Sequence, residues 1–371
     1  MESNQTDLES GNFTEEQKEV IHSIRSSRII LPILISLGVV IFMLYNQFDL
    51  KEFAKITWTF HTWLWFIMAL FFIVVRHLAY MARLYILTEG YFGWRKCFEL
   101  IFIWEFASTI TPTSIGGSAV AFLLLSQEKL SMARTAAIVT YTIVLDALFF
   151  VVSVPIIYLI YGTLSIGADI KSLFHSRGWI ILLVYILIVT YGSLFAYGLF
   201  KNPKGLKKFF LLVCKVPFLK RFESKAKELG DEMMLASREI RKKNWKYHLG
   251  GFVATGTAWL SRFLILIFLF TVFIPSLEFD MARNSVLFAR IETFFLLMLY
   301  SPSPGGAGFT ELFFFPHFQD FIPKSLSGAL VLTWRMISYN SYLLLGAIIT
   351  PIWIRKVINK RRKKKVGVKK S

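Results

Sequence analysis

Two apolar stretches of this chain are each cut by a motif rich in proline and glycine. The first is Thr111-Pro112-Thr113-Ser114-Ile115-Gly116-Gly117-Ser118; the second is Ser301-Pro302-Ser303-Pro304-Gly305-Gly306-Ala307-Gly308. Proline removes a backbone donor and glycine frees the backbone, so each motif ends a helix. In hydrocarbon a broken helix survives only where protein or a water-filled cavity satisfies its freed amides and carbonyls. A matched pair of such breaks, one in each half of a chain, is the sequence pointer to a transporter's substrate site.

Composition supplies the membrane. The 371 residues are 55% hydrophobic and carry a net charge of +18, with a mean hydropathy of +0.55. That is too apolar for an ordinary soluble domain, and several runs reach the roughly 20 residues a helix needs to cross a bilayer. The runs are continuous rather than alternating, which excludes a β-barrel. The expected fold is an all-α polytopic membrane protein with six full spans near 29–46, 59–86, 132–161, 178–200, 249–275 and 326–354. Two broken segments, near 97–126 and 285–320, are read as re-entrant helical hairpins, because each half is shorter than a span.

Charge sets the orientation. With Arg25 and Arg28 inside, two re-entrant hairpins place every dense basic cluster on one side, as the positive-inside rule asks. That clustering covers Arg83, Arg95, Lys96, Lys129, Arg134, residues 201–247 and the tail from Arg355. Both termini are then cytoplasmic, and the hairpins enter from opposite sides, as in an inverted-topology repeat. The chain divides into a disordered N-terminus (1–24), a first membrane repeat (25–200), a basic amphipathic linker (201–248), a second membrane repeat (249–355) and a basic, disordered tail (356–371). In the linker, Phe209 to Val213 are expected on the membrane surface with lysines toward headgroups. Cys97 and Cys214 fall near the cytoplasmic side, so no disulfide is expected. The basic excess reads as topology and anionic-lipid attraction, not as nucleic-acid binding.

Ionisable groups inside spans are costly and mark function by default. Arg76 and Arg83 share a helix face with Tyr80 and suit a phosphate, whose oxygens match a guanidinium fork; Arg83 can equally snorkel to the cytoplasmic end. Asp146, midway along its span, either pairs with an arginine or carries a proton. Arg262 and Arg335 are embedded in later spans, with Tyr339 and Tyr342 on the face of Arg335. Glu105, Arg290, Glu292 and Glu311 border the broken segments. Half-helix N-termini after Gly117 and Gly308 present free amides to an anion; the glycines can also serve tight helix packing alone. No nucleotide-binding loop, zinc-protease pattern or paired-cysteine site occurs, so neither a metal, a cofactor nor a catalytic residue is expected.

These residues resemble the membrane region of the lysylphosphatidylglycerol synthase/flippase family, the flippase-like domain proteins, over about residues 25–355. The likeness rests on Thr111-Pro112 with Gly116-Gly117, on Asp146, on Ser303-Pro304-Gly305-Gly306-Ala307-Gly308-Phe309-Thr310-Glu311 and on Arg335. Where the family often has a glutamate and then an arginine after its first Gly-Gly, this chain has Ser118 and Ala121. The resemblance implies two inverted repeats forming a lipid-translocating unit in the cytoplasmic membrane. Pro304, Gly305, Gly306, Gly308 and Glu311 would form its site, with Arg76, Asp146 and Arg335 nearby. Pro112, Gly116, Gly117, Arg83 and Arg262 complete the candidate set. No segment resembles a soluble aminoacyl-transferase domain, so a transporter rather than a lipid-modifying enzyme is expected. Its cargo would be an anionic or zwitterionic phospholipid or a lipid-linked sugar. Ion-coupled transport of a small soluble anion is the alternative, and an integral-membrane lipid-modifying enzyme a third.

Overall fold

The computed structural model describes residues 54, 58–110, 113–128, 130–165, 170–213, 223–299, 301, 303–306 and 308–368. Regular structure among them is entirely helical: α1 (Phe60–Leu87), α2 (Trp94–Ile110), α3 (Thr113–Gln127), α4 (Met132–Tyr161), α5 (Ile170–Phe200), α6 (Pro203–Val213), α7 (Glu223–Ile240), α8 (Trp245–Phe273), α9 (Met281–Met298), α10 (Phe309–Phe318), α11 (Lys324–Arg335) and α12 (Ser341–Val368). Side-chain caps explain several of the starts. Thr59, Ser131, Asn244 and Asp280 each accept from the amide three residues on, at the heads of α1, α4, α8 and α9. Each satisfies a donor that the first helical turn leaves unpaired.

Helices long and apolar enough to cross a membrane are Phe60–Leu87, Ala133–Tyr161, Ile181–Phe200, Trp245–Phe273 and Lys324–Val357 among the described residues. They match the spans read from sequence; the first of those, 29–46, lies outside the described residues. Helix α1 shows the membrane logic. Ile67, Leu70, Phe71, Val74 and Leu78 are exposed along one stripe, while Ala69, Arg76, Ala79, Tyr80 and Arg83 on the other face are buried. A helix that turns aliphatics outward and guanidinium groups inward is built for a lipid surround.

The centre of the bundle is α1 packed antiparallel to α8. At one end the Tyr247 hydroxyl donates to the Leu87 carbonyl at 3.4 Å; near the other, Trp65 stacks on Phe268 and His61 pairs with Glu278. Each central helix leads into a broken segment, so the two broken segments start from opposite ends of this pair. The two ends of each segment are tied to each other. Lys96 at the start of α2 pairs with Glu128 just past α3 at 2.6 Å, and Arg134 at the start of α4 pairs with Glu89 just past α1 at 2.9 Å. In the second segment the Arg283 guanidinium, at the start of α9, donates to the Asp320 carbonyl just past α10 at 3.0 Å. A 10-residue α10 spans only about 15 Å, half of a roughly 30 Å hydrocarbon core.

The core is dominated by phenylalanine: Phe150, Phe263, Phe270, Phe294, Phe314 and Phe318 are fully buried in one cluster around α8, α9 and α10. Between helices in lipid such side chains contribute through van der Waals packing rather than through removal from water. Linker helices α6 and α7 are joined by a Lys207–Asp231 ion pair. Helix α7 buries Ala236 and Ile240 in the cluster that also holds Ala136 and Ala137 of α4. Leu212 is exposed as expected of a surface helix, while the Phe209, Phe210 and Val213 side chains and all of Cys214 lie outside the described residues. Cys97 is a buried free thiol.

One expectation is corrected. The basic tail, read as disordered, continues α12 as helix to Val368. Lysine and arginine are good helix formers, and no glycine interrupts the run after Pro351 until Gly367.

Candidate functional site

Three arginines converge on one tyrosine. Arg76 and Arg83 flank Tyr80 along α1, and Arg262 approaches from α8. Their guanidinium carbons lie 5.9, 4.8 and 5.5 Å from the Tyr80 ring centroid. Two carboxylates hold them there. Glu105 of α2 accepts from Arg76 at 2.6 Å and from Arg262 at 3.3 Å. Asp146 of α4 accepts from Arg83 at 2.8 Å and from the Trp259 indole at 3.0 Å. Of the two roles left open for Asp146, the structure shows the arginine pair. Tyr342 lies under Arg76 at 4.7 Å, and Trp259 under Arg262 at 4.9 Å. Aromatic faces stabilise desolvated cations by about 2 kcal/mol.

Three guanidinium groups against two carboxylates leave a formal excess of one positive charge. The Nε atoms of Arg76 and Arg262 are buried donors without a protein partner. The cluster is also not sealed: the Asp146 and Arg262 side chains stay 32% and 24% exposed, against 6% for Arg76. Partly accessible charge at mid-span is costly against hydrocarbon, so these groups require water or a polar ligand beside them.

The second motif is organised by Arg335. Gly305, Gly306 and Gly308 adopt φ of 55°, 71° and 79°, the left-handed region open chiefly to glycine. Their loop ends the helix of α9 and begins α10. Arg335, at the end of α11, donates to the Gly305 and Gly306 carbonyls, both at 2.9 Å, and to Glu311 at 2.8 Å. The Glu311 side chain is fully buried and that of Arg335 5% exposed. The guanidinium fork thus satisfies carbonyls that the break strips of helical partners. Glu311 sits in the first turn of α10, where the helix dipole favours negative charge.

The two breaks meet. The Tyr339 hydroxyl donates to the carbonyl of Thr109, beside the first break, at 3.2 Å, and its ring lies 4.7 Å from the Arg335 guanidinium. A Cβ on Gly305 would come within 2.9 Å of the same Thr109 oxygen. Met336–Asn340 form a π-helical turn, a feature frequent at functional sites, and through it Arg335, Tyr339 and Tyr342 connect the loop staple to the arginine cluster.

The candidate residues therefore fall into two linked groups rather than one. Arg76, Arg83, Asp146 and Arg262 belong to the central cluster; Pro304, Gly305, Gly306, Gly308, Glu311 and Arg335 belong to the stapled loop. The half-helix start expected after Gly117 is corrected: α3 begins at Thr113, so Gly116 and Gly117 lie inside it, and Gly117 packs so tightly on Ser108 that a methyl group would collide with it. Pro112 lies outside the described residues. Glu105, Tyr80, Trp259, Tyr339 and Tyr342 join the site although the candidate set omits them. Glu105 and the tyrosines carried a signal, as embedded polar groups on arginine-bearing faces; Trp259, three residues before Arg262 on one helix face, is the one sequence reasoning missed. Arg290 serves packing: it is 2% exposed and bonded to Asp320 and to the Leu164 and His317 carbonyls.

A "UPF0104 membrane protein" of Archaeoglobus fulgidus is 26% identical over 311 residues, covering 80% of this chain and 89% of the relative. No solved structure matches the chain. Residues 29–346 match the family described as Lysylphosphatidylglycerol synthase TM region, and the chain belongs to that family.

Proposed function

We propose that this protein is a secondary lipid translocase of the cytoplasmic membrane, carrying a lipid whose headgroup contains phosphate between leaflets. The observation that carries the reading is the arginine cluster. It has one positive charge in excess, two unpartnered buried donors and an accessible edge, and it is tied to the meeting point of two broken segments. A phosphate there would accept from the Arg76 and Arg262 Nε groups and neutralise the excess charge. The accessible members stand on α4 and α8, whose outer faces carry exposed aliphatics such as Leu148, Val152, Val253 and Leu260. That neighbourhood suits acyl chains better than it suits a small soluble anion.

In this reading the hairpins α2–α3 and α9–α10 are re-entrant, entering from opposite sides. Lys96, Arg134, Lys243 and Lys356 gather at one end of the bundle through Glu89, Glu99 and Glu128, and that end is cytoplasmic by the positive-inside rule. Alternating access then arises from rocking one repeat against the other around the fixed cluster. Arg335 and Glu311 position the second loop and do not touch cargo. Among the described residues no group of His, Cys, Asp and Glu side chains could hold a metal ion, and the mechanism invokes none.

The test is dithionite quenching of fluorescent phosphatidylglycerol and phosphatidylcholine in proteoliposomes. Wild-type protein should expose the inner-leaflet probe. An Arg76→Gln, Arg262→Gln double variant, folded by circular dichroism, should slow exposure at least tenfold. Equal rates for the two proteins contradict the proposal. Uptake of inorganic phosphate without lipid movement favours the small-anion reading instead.

A further inference from the structure

The two repeats place a glutamate at the same position and treat it differently. Counted from Trp94 and Met281, Glu105 and Glu292 are each the twelfth residue of the helix that leads into a break. Glu105 is held by two guanidinium groups. Glu292 is 1% exposed, its Oε1 atom is buried without a hydrogen-bond partner, and no ion pair to it occurs among the described residues. Its one polar contact among the described residues is a side-chain hydrogen bond with Ser153 of α4, a hydroxyl shared with the Phe149 carbonyl, to which it donates at 2.8 Å.

Among the side chains the structure describes, the charged groups on the surrounding elements are engaged elsewhere; those of Lys171, His175 and Arg177 on α5 lie outside the described residues. On α9 itself, Arg290 is bound to Asp320 and Arg283 to the Asp320 carbonyl. On α10, Glu311 is bound to Arg335, and His317 contacts the Arg290 carbonyl. Asp146 of α4 holds Arg83, and Arg262 of α8 reaches Glu105. The Tyr185 hydroxyl of α5 donates to the Val151 carbonyl, and Glu278, past the turn after α8, pairs with His61. An anionic carboxylate with one shared hydroxyl and no cation beside it is costly, and a bound proton removes the cost.

We propose that Glu292 is a proton-exchange site of the second hairpin, the counterpart of the arginine-bound Glu105 in the first. A proton bound there compensates the charge for which the equivalent glutamate uses guanidinium groups. Its release and uptake accompany movement of α9 as the two repeats exchange roles. The proton site stands on geometry alone; the linkage to movement rests on the translocase reading.

Two measurements separate these parts. Infrared difference spectroscopy of the protein in detergent reads the carbonyl stretch of protonated carboxyl groups. The wild-type spectrum minus that of Glu292→Gln should contain such a band, shifted on exchange into deuterium oxide, and the corresponding difference for Glu105→Gln should lack it. Should Glu292→Gln fold poorly, Glu292→Asp should move the band. A spectrum unchanged by either substitution overturns the site.

The second measurement is translocation of fluorescent phosphatidylglycerol in proteoliposomes with and without an imposed pH gradient. Wild-type protein should respond to the gradient, and Glu292→Gln should lose the response while keeping its rate at uniform pH. A wild-type response in the variant, or none in the wild type, overturns the linkage. If the wild-type protein moves no lipid in either condition, the translocase reading falls, and the infrared result alone decides the proton site.

Discussion

Removing the Arg335 staple should destabilise the protein more than removing any surface ion pair, and the structure sets the scale. Arg335 and Glu311 are 5% and 0% exposed, and the same guanidinium bonds the carbonyls of Gly305 and Gly306. Arg335→Met leaves a buried carboxylate and two loop carbonyls without partners, a loss of about 3–5 kcal/mol when one member of a buried pair is removed. Arg335→Lys keeps the charge but not the fork, and should cost roughly half as much because one ammonium cannot reach every acceptor at once. Lys207–Asp231 is the internal control. Its side chains are 22% and 48% exposed, and its removal should cost about 0–1 kcal/mol. The assay is reversible unfolding in mixed micelles, followed by tryptophan fluorescence over a detergent titration. An Arg335→Met cost no larger than that of Lys207→Met refutes the reasoning, because the loop would then be held by something other than this guanidinium.

Three further outcomes follow from the same contacts. Gly305→Ala must hold a left-handed φ of 55° while its methyl meets the Tyr339 ring and the Thr109 carbonyl. It should lose more than the roughly 1–2 kcal/mol of backbone strain alone, measured by the same titration. Tyr339→Phe removes only the bond to Thr109 and should cost about 0.5–1.5 kcal/mol, read as stability with the circular dichroism spectrum unchanged. Lys243, bonded to Glu89 with Arg134 beside it, holds the Glu89 carboxyl below the usual carboxylate range. A group depressed on folding stabilises above its unfolded pKa and loses that contribution as the pH falls through the folded value. Glu89→Gln should therefore flatten the acid side of the stability profile, below about pH 5, and the difference should shrink in high salt because Glu89 is largely exposed.

Much of the architecture was legible because hydrocarbon is an unforgiving solvent. Span limits from apolar runs fell within a few residues of α1, α4 and α8, and the second Pro-Gly motif fell where helices end, whereas Gly116 and Gly117 of the first lie inside α3. The antiparallel α1–α8 pair was not legible as a contact, yet it follows from the charge count that sent the two broken segments to opposite sides. What sequence could not supply was partnership. Arg335 and Arg262 look alike as embedded arginines, but one is committed to a loop and the other remains a quarter exposed beside Trp259. Asp146 and Glu292 look alike as embedded acids, but among the described residues only Asp146 meets a guanidinium. Such differences depend on which helices lie side chain to side chain, and one sequence does not encode that pairing in any local pattern. The helical tail shows the reverse error, in which charge was read as disorder although lysine and arginine favour helix.

Native mass spectrometry of the protein released from mild detergent tests the central idea most directly, because a bound headgroup is weighed rather than inferred. After exposure to equal amounts of phosphatidylglycerol and phosphatidylcholine, the wild-type chain should retain one phosphate-bearing lipid, preferentially the anionic one, through collisional cleaning. The Arg76→Gln, Arg262→Gln variant should emerge bare. Equal lipid retention by the two proteins, or none by the wild type, contradicts a headgroup site among these arginines.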